Sequence, residues 1–139
     1  MYVRRTVSET TGENLLTSAG IVRAHTQTYG TSGLLTNGFV YIGLSADALS
    51  ETSASTALST EITSNGLARS LATVTLPTGT GTTITLRKVF PVTGTQTVKK
   101  TALFTAASGG VMQHVLEFSS PQSLVNLDQF QVTFTVTLG

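Results

Sequence analysis

The chain has 139 residues, of which only 11% are charged, against about 25% in an ordinary soluble domain. Its polarity comes instead from 27 threonines and 14 serines, while 40% hydrophobic residues supply enough apolar mass for a core. Eight Lys+Arg against seven Asp+Glu and zero Cys exclude an electrostatic nucleic-acid binder, disulfides and thiolate chemistry.

The length fits one domain. No apolar run approaches the roughly 20 residues of a membrane span. Residues 1–11 carry Arg4 and Arg5 with no apolar stretch behind them, so no signal peptide is expected. This stretch reads as an extended N-terminal arm, with residues 2–7 able to form a strand, and residues 12–139 as a single β domain. Residues 15–24 present two options. Leu15, Leu16, Ala19 and Val22 with Thr17 as cap suit a short helix, yet residues 21–28 also read as a strand. Residues 28–37 look like a flexible connection. Residues 39–44 are apolar on both faces, as in a central strand, and residues 49–60 form a long Ser/Thr/Ala-rich surface loop.

After an Asn65-Gly66 turn, residues 67–76 place Ala68, Ala72, Val74 and Leu76 in one register and Arg69, Thr73 and Thr75 in the other. The Thr78-Gly79-Thr80-Gly81 run suits a hairpin tip. Residues 82–92 alternate through Ile84 and Leu86 and break at Val89-Phe90-Pro91, where a bulge or an edge position would accommodate the proline. Residues 95–106 and 111–118 are expected to pair across Ser108-Gly109-Gly110, with Gly94 and Pro121 marking further turns. Residues 129–138 alternate most regularly, with Phe130, Val132, Phe134, Val136 and Leu138 on one side and Gln129, Gln131, Thr133, Thr135 and Thr137 on the other. Strands of six to ten residues between such turns predict an all-β fold, an antiparallel sandwich or barrel-like domain.

Few residues point to chemistry. His114 shares a register with Met112, Leu116 and Phe118 and reads as a hydrogen-bonded, partly buried side chain. His25, among Arg23, Ala24 and Thr26, reads as surface. A triad could be assembled from a serine, a histidine and Asp47 or Asp128, but no Gly-x-Ser-x-Gly elbow is present. Asp47 and Glu51 are the one close carboxylate pair, too few oxygens for a calcium loop and without aromatics for a sugar platform. No catalytic, cofactor or metal residues are assigned. The basic doublets Arg4-Arg5, Arg87-Lys88 and Lys99-Lys100 read either as edge protection or as salt bridges to an acidic partner. Few charges with many threonines suit a surface occupied by other protein.

Asn14-Leu15-Leu16-Thr17-Ser18-Ala19-Gly20 resembles the opening of many small tailed-phage virion proteins, and Tyr41-Ile42-Gly43-Leu44-Ser45 is similar to the strand that follows in them. Leu58-Ser59-Thr60-Glu61-Ile62, Gly66-Leu67-Ala68-Arg69, Ala102-Leu103-Phe104 with Ser108-Gly109-Gly110, and the closing strand extend the likeness over most of the chain. It departs at Ile21-Val22-Arg23-Ala24-His25, which is more strand-like than the helix such an opening leads one to expect. The resemblance implies a non-enzymatic virion part. The first expectation is a head decoration (cement) protein on the outer capsid, stabilising capsid subunit junctions by binding the major capsid protein or another virion protein as a homo-oligomer, a trimer. It would have no direct contact with nucleic acid or membrane. Its expected partner-binding residues are Tyr2, Val3, Arg4, Arg5, Val7, Arg87 and Lys88. The alternative is a tail-associated fibre adaptor or collar module. A third reading is a carbohydrate- or host-surface-binding domain, with Tyr29 and Tyr41 as its platform.

Overall fold

The regular alternation of residues 129–138 forms the strand it predicts. In the computed structural model, which describes residues 4–8, 15–16, 38–75 and 83–137, nine strands follow in chain order. They are β1 (Arg4–Ser8), β2 (Leu15–Leu16), β3 (Tyr41–Ser45), β4 (Ser70–Leu71), β5 (Thr73–Thr75), β6 (Thr83–Pro91), β7 (Gln96–Phe104), β8 (Met112–Leu124) and β9 (Gln129–Thr137). A four-stranded sheet has the order β1-β9-β6-β5, and a five-stranded sheet has the order β2-β8-β7-β3-β4. Every pairing is antiparallel except β1 on β9, which is parallel.

The two sheets face each other across one apolar layer. The four-stranded sheet contributes Leu86, Phe90, Phe130, Val132 and Phe134, and the five-stranded sheet Ile42, Leu44, Val98, Leu103, Phe118 and Leu124. Phe118 and Phe130 meet across the layer edge to face, with centroids 5.9 Å apart at 86°, the geometry that the ring quadrupole favours. This is an all-β sandwich. Burial of these side chains is its main stabilisation, at roughly 1.5–3 kcal/mol for each large one.

Several local expectations are corrected. Leu15–Leu16 pairs with β8 as strand rather than opening a helix; residues 17–24 lie outside the described residues, as do the 28–37 connection, the Thr78–Gly81 turn and Leu138. Pairing of β6 with β9 runs unbroken from Thr83 opposite Thr137 to Pro91 opposite Gln129. Phe90 therefore continues the inward series of Ile84 and Leu86. Pro91 needs no bulge: β5 pairs only with Thr85–Arg87, so Pro91 ends the strand at a local edge with β9 as its one strand neighbour, where a missing N–H costs little.

The single strand expected over residues 67–76 is two. β4 pairs with β3, β5 pairs with β6, and between them the buried Ala72 donates its N–H to the Val40 carbonyl at 2.8 Å. The chain thus leaves one sheet and enters the other at a corner.

Strand β8 does not stop at Pro121 but continues to Leu124. Residues 118–121 oppose Lys99 alone, between the pairs Val98 with Gln122 and Lys100 with Glu117. Such an irregularity tolerates a proline. In a second bulge, Gln113 and His114 oppose Leu103 alone, between the pairs Ala102 with Val115 and Phe104 with Met112. That bulge breaks the register predicted for Met112, His114, Leu116 and Phe118. Met112 and Val115 pack in one apolar cluster, and Phe118 packs in the other.

The Asn65-Gly66 turn is present, with both residues at positive φ (56° and 75°). Only glycine fits the second position, because a Cβ there would lie 1.8 Å from the Pro91 carbonyl oxygen.

Candidate functional site

The two outer faces of the sandwich are treated differently. On the five-stranded sheet, side chains alternate across strands β3 and β7. Ile42, Leu44 and Leu103 point to the sandwich interior, so Tyr41, Gly43, Lys100, Ala102 and Phe104 point outward; Val98 reaches the same interior because the register shifts between it and Lys100. Apart from the half-buried Tyr41 the outward set is nevertheless buried, with Ala102, Phe104, Met112 and Val115 forming a second cluster under Leu58. The residues expected to form a surface loop, 49–60, supply that Leu58 and lie over the sheet.

An ion pair fastens the loop. Lys100 sits on a central strand with its side chain at 0% exposure, and its Nζ lies 2.7 Å from Glu51 Oε1 and 2.8 Å from Oε2. Nζ also donates to the Ala48 carbonyl at 3.0 Å and to Ser59 Oγ at 2.7 Å. The carboxylate accepts the Ser59 amide on Oε1 and the Ser50 amide on Oε2. Burial alone would raise the Glu51 pKa, but the bond from Lys100 and those two amides outweigh it and hold the carboxyl below the usual glutamate range. Ser45 Oγ donates to the Ser59 carbonyl at 2.5 Å, which anchors the far end of the loop.

The proximity of Ser59 and Lys100 deserves a chemical test, because serine–lysine pairs act as nucleophile and base in some hydrolases. A base needs a free lone pair. Here the amine spends its N–H bonds as donors and faces a carboxylate. The arrangement ties a loop down and offers no proton acceptor for Ser59.

A second clamp adjoins it. The Arg69 guanidinium forms a two-pronged pair with Glu61, Nε to Oε1 at 2.8 Å and Nη2 to Oε2 at 2.6 Å. Its Nη1 donates to the carbonyls of Ala106 and Gly109, at 3.1 and 2.7 Å, and its Cζ lies 3.4 Å from the centroid of the Phe104 ring. Under that ring is Gly43. A Cβ there would stand 2.8 Å from Phe104 Cε2 and 3.1 Å from Glu61 Oε1, so the glycine inside the Tyr41–Ser45 strand makes room for the stack.

The outer face of the four-stranded sheet has no such cover among the described residues. In one register, Thr75, Thr85 and Thr135 lie side by side, and Thr73, Arg87 and Thr133 lie side by side in the next. Neighbouring strands are about 4.8 Å apart, so these six side chains tile a neutral hydroxyl-and-methyl surface with one guanidinium in it. The backbone of β1 extends the same sheet, with Ser8 opposite Thr133, Val7 opposite Val132, Arg5 opposite Phe130 and Arg4 opposite Gln129.

The structure therefore brings the two basic doublets of the sequence reading into one sheet. Arg4 and Arg5 lie on one side of β9, and Arg87 and Lys88 on the other. Arg87 is exposed; Lys88 is half-buried on the inward register of Leu86 and Phe90. Tyr2 and Val3 lie outside the described residues, as do His25 and Tyr29. The third doublet is not edge protection at Lys100, which is internal and paired. Tyr41 is half-buried against the Leu58 cluster. Asp47 and Glu51 diverge, the first accepting from Thr60 Oγ1 and the second from Lys100. Asp128 is buried and accepts the Val125 amide at 3.0 Å. Among the described residues no group of three or more His, Asp or Glu side chains could hold a metal ion. His114 lies in the bulge of β8, where its Nδ1 is buried with no hydrogen-bond partner, which corrects the hydrogen-bonded reading. Burial pushes its pKa below the usual histidine value.

Sequence reasoning missed both clamps. Lys100 with Glu51 and Arg69 with Glu61 are separated by 49 and 8 residues, and neither pair stands in a recognisable motif. The available signal was Lys100 itself, a charge placed just before the apolar Ala102-Leu103-Phe104 run of a central strand. Comparison with protein-family models, with curated proteins and with solved structures finds no match to this chain.

Proposed function

We propose that the chain is a non-enzymatic structural protein of a tailed-phage virion, a head decoration (cement) protein on the outer capsid that stabilises the junctions between capsid subunits. The observation that carries this reading is the contrast between the two outer faces. On the five-stranded side Lys100 and Arg69 are consumed internally, in the Lys100–Glu51 and Arg69–Glu61 pairs, and the chain's own loop lies over that part of the face, while Glu117 stays exposed on β8. The four-stranded side presents the neutral threonine surface around Arg87. Depletion of charge is what protein interface cores share.

On this reading the threonine face docks on the major capsid protein. Arg87 and Lys88 lie on β6, and Arg4, Arg5 and Val7 on β1 at the rim, with Tyr2 and Val3 preceding them. The action is mechanical. Each copy buries a standard interface of roughly 1,600 Å², and many copies engaged in parallel raise the free energy of capsid rupture through multivalency. Self-association into a trimer would strengthen the attachment further.

The test is binding to purified capsids from which accessory proteins have been stripped. Wild-type protein is expected to co-sediment and to raise the temperature at which the capsids release DNA. Absence of co-sedimentation, or binding that survives a charge-bearing substitution at Thr133, would contradict docking through this face.

A further inference from the structure

The bulge in β8 carries an unusual combination. His114 occupies one of the two positions facing Leu103, and its backbone is paired on the other side with Leu16 of β2, the edge strand of the five-stranded sheet. Its Nδ1 is enclosed and bonded to nothing. β2 is only two residues long, so it is the least expensive element to lift when that nitrogen has to reach water.

We propose that His114 makes the β2 contact an acid-released fastening, in which protonation of the ring drives residues 15–16 off the β8 edge. The described surroundings offer the imidazolium no partner. Across the bulge stand Ala102, Leu103 and Phe104, and on the other side runs the backbone of Leu15–Leu16; none of these residues titrates. On β8 the nearest carboxylate is Glu117, three positions along and in register with Lys100. Arg69, over the Phe104 ring, is a further positive charge already paired with Glu61. Burial in this setting favours the neutral ring.

The sign follows from linkage. The ring binds its proton more weakly when β2 is closed than when it is open. Closure is therefore fully favoured above the ordinary histidine pKa of 6.5 and is lost as pH falls below it. If the closed form stays unprotonated, opening becomes up to about 30-fold more favourable at pH 5.0 than at pH 7.5. The inference concerns the fastening itself and holds whatever surface the chain docks on.

The experiment is amide hydrogen exchange at Leu16 and His114 at pH 5.0 and 7.5, corrected for intrinsic exchange rates, in the wild-type chain and in H114Q. Protection in the wild type is expected to fall by about 10- to 30-fold on acidification and to change less than about twofold in H114Q, whose side chain takes up no proton. Equal loss in both proteins, or no loss in the wild type, overturns the proposal. Should H114Q fail to fold, an NMR titration of the wild type decides alone. The ring is expected to titrate below 6.5 together with the Leu16 amide, whereas a midpoint at or above 6.5, or a Leu16 amide that ignores it, refutes the fastening.

Discussion

Replacing Glu51 with Gln leaves the Lys100 ammonium at 0% exposure with no counter-charge, in a site built to hold one. Two losses add. The ammonium loses its carboxylate, and one amide, of Ser59 or Ser50, loses an acceptor where the side-chain NH₂ replaces an oxygen. Removing one partner of a buried pair typically costs about 3–5 kcal/mol, far more than the pair contributes relative to apolar side chains. For a domain of this size each kcal/mol lowers Tm by about 3–4 °C. E51Q is therefore expected to melt roughly 10–20 °C below wild type, measured by circular dichroism in the β-sheet band. The double variant E51L/K100M removes both charges and should recover most of that loss. A drop under about 1 kcal/mol for E51Q would refute the argument, since it would mean that the loop is not held by this pair.

The same site sets a pH dependence. Because the folded Glu51 pKa lies below the ordinary value of 4.5, its contribution is complete above 4.5 and is lost as pH falls through the lower folded value. Acid titration of wild type should accordingly show a loss of stability below pH 4.5 that is reduced in E51L/K100M. G43A drives a methyl against the Phe104 ring and Glu61 and is expected to cost about 1–3 kcal/mol in urea denaturation. R69K keeps the charge but loses the two-pronged geometry and the ring stacking; hydrogen exchange of residues 105–111, tied by Arg69 to the sheet, should rise several-fold while β9 is unaffected. T85K and T133D place charges on the face that no described residue covers, where substitutions usually shift stability by no more than about 0.5 kcal/mol. Both should abolish capsid co-sedimentation with Tm nearly unchanged.

Legibility of the fold in the sequence tracks the locality of the forces. Phe130, Val132 and Phe134 alternate against a solvent-facing threonine row, so periodicity alone places β9. Asn65-Gly66 and Ser108-Gly109-Gly110 mark turns because positive φ demands those residue types. The pattern misleads where tertiary pairing overrides it. Residues 70–75 look like one strand but divide at Ala72 between two sheets, and Pro121 looks like a stop but sits in an irregularity of a 13-residue strand. The function of residues 49–60 was invisible for a different reason. Their serines and threonines resemble any loop, and Glu51 gains its meaning only from Lys100 on a strand folded beneath it. Of the residues expected to bind a partner, Arg87, Lys88 and the backbone of β1 fall in one sheet, whereas the threonines between them became a surface only through the β5-β6-β9 register.

The most direct test of the virion reading is to quantify this chain against the major capsid protein in purified virions from its source. The account predicts hundreds of copies per particle, a ratio approaching one for one. A few to a few dozen copies would place the chain in the tail or collar, and its complete absence from particles would contradict the virion assignment altogether.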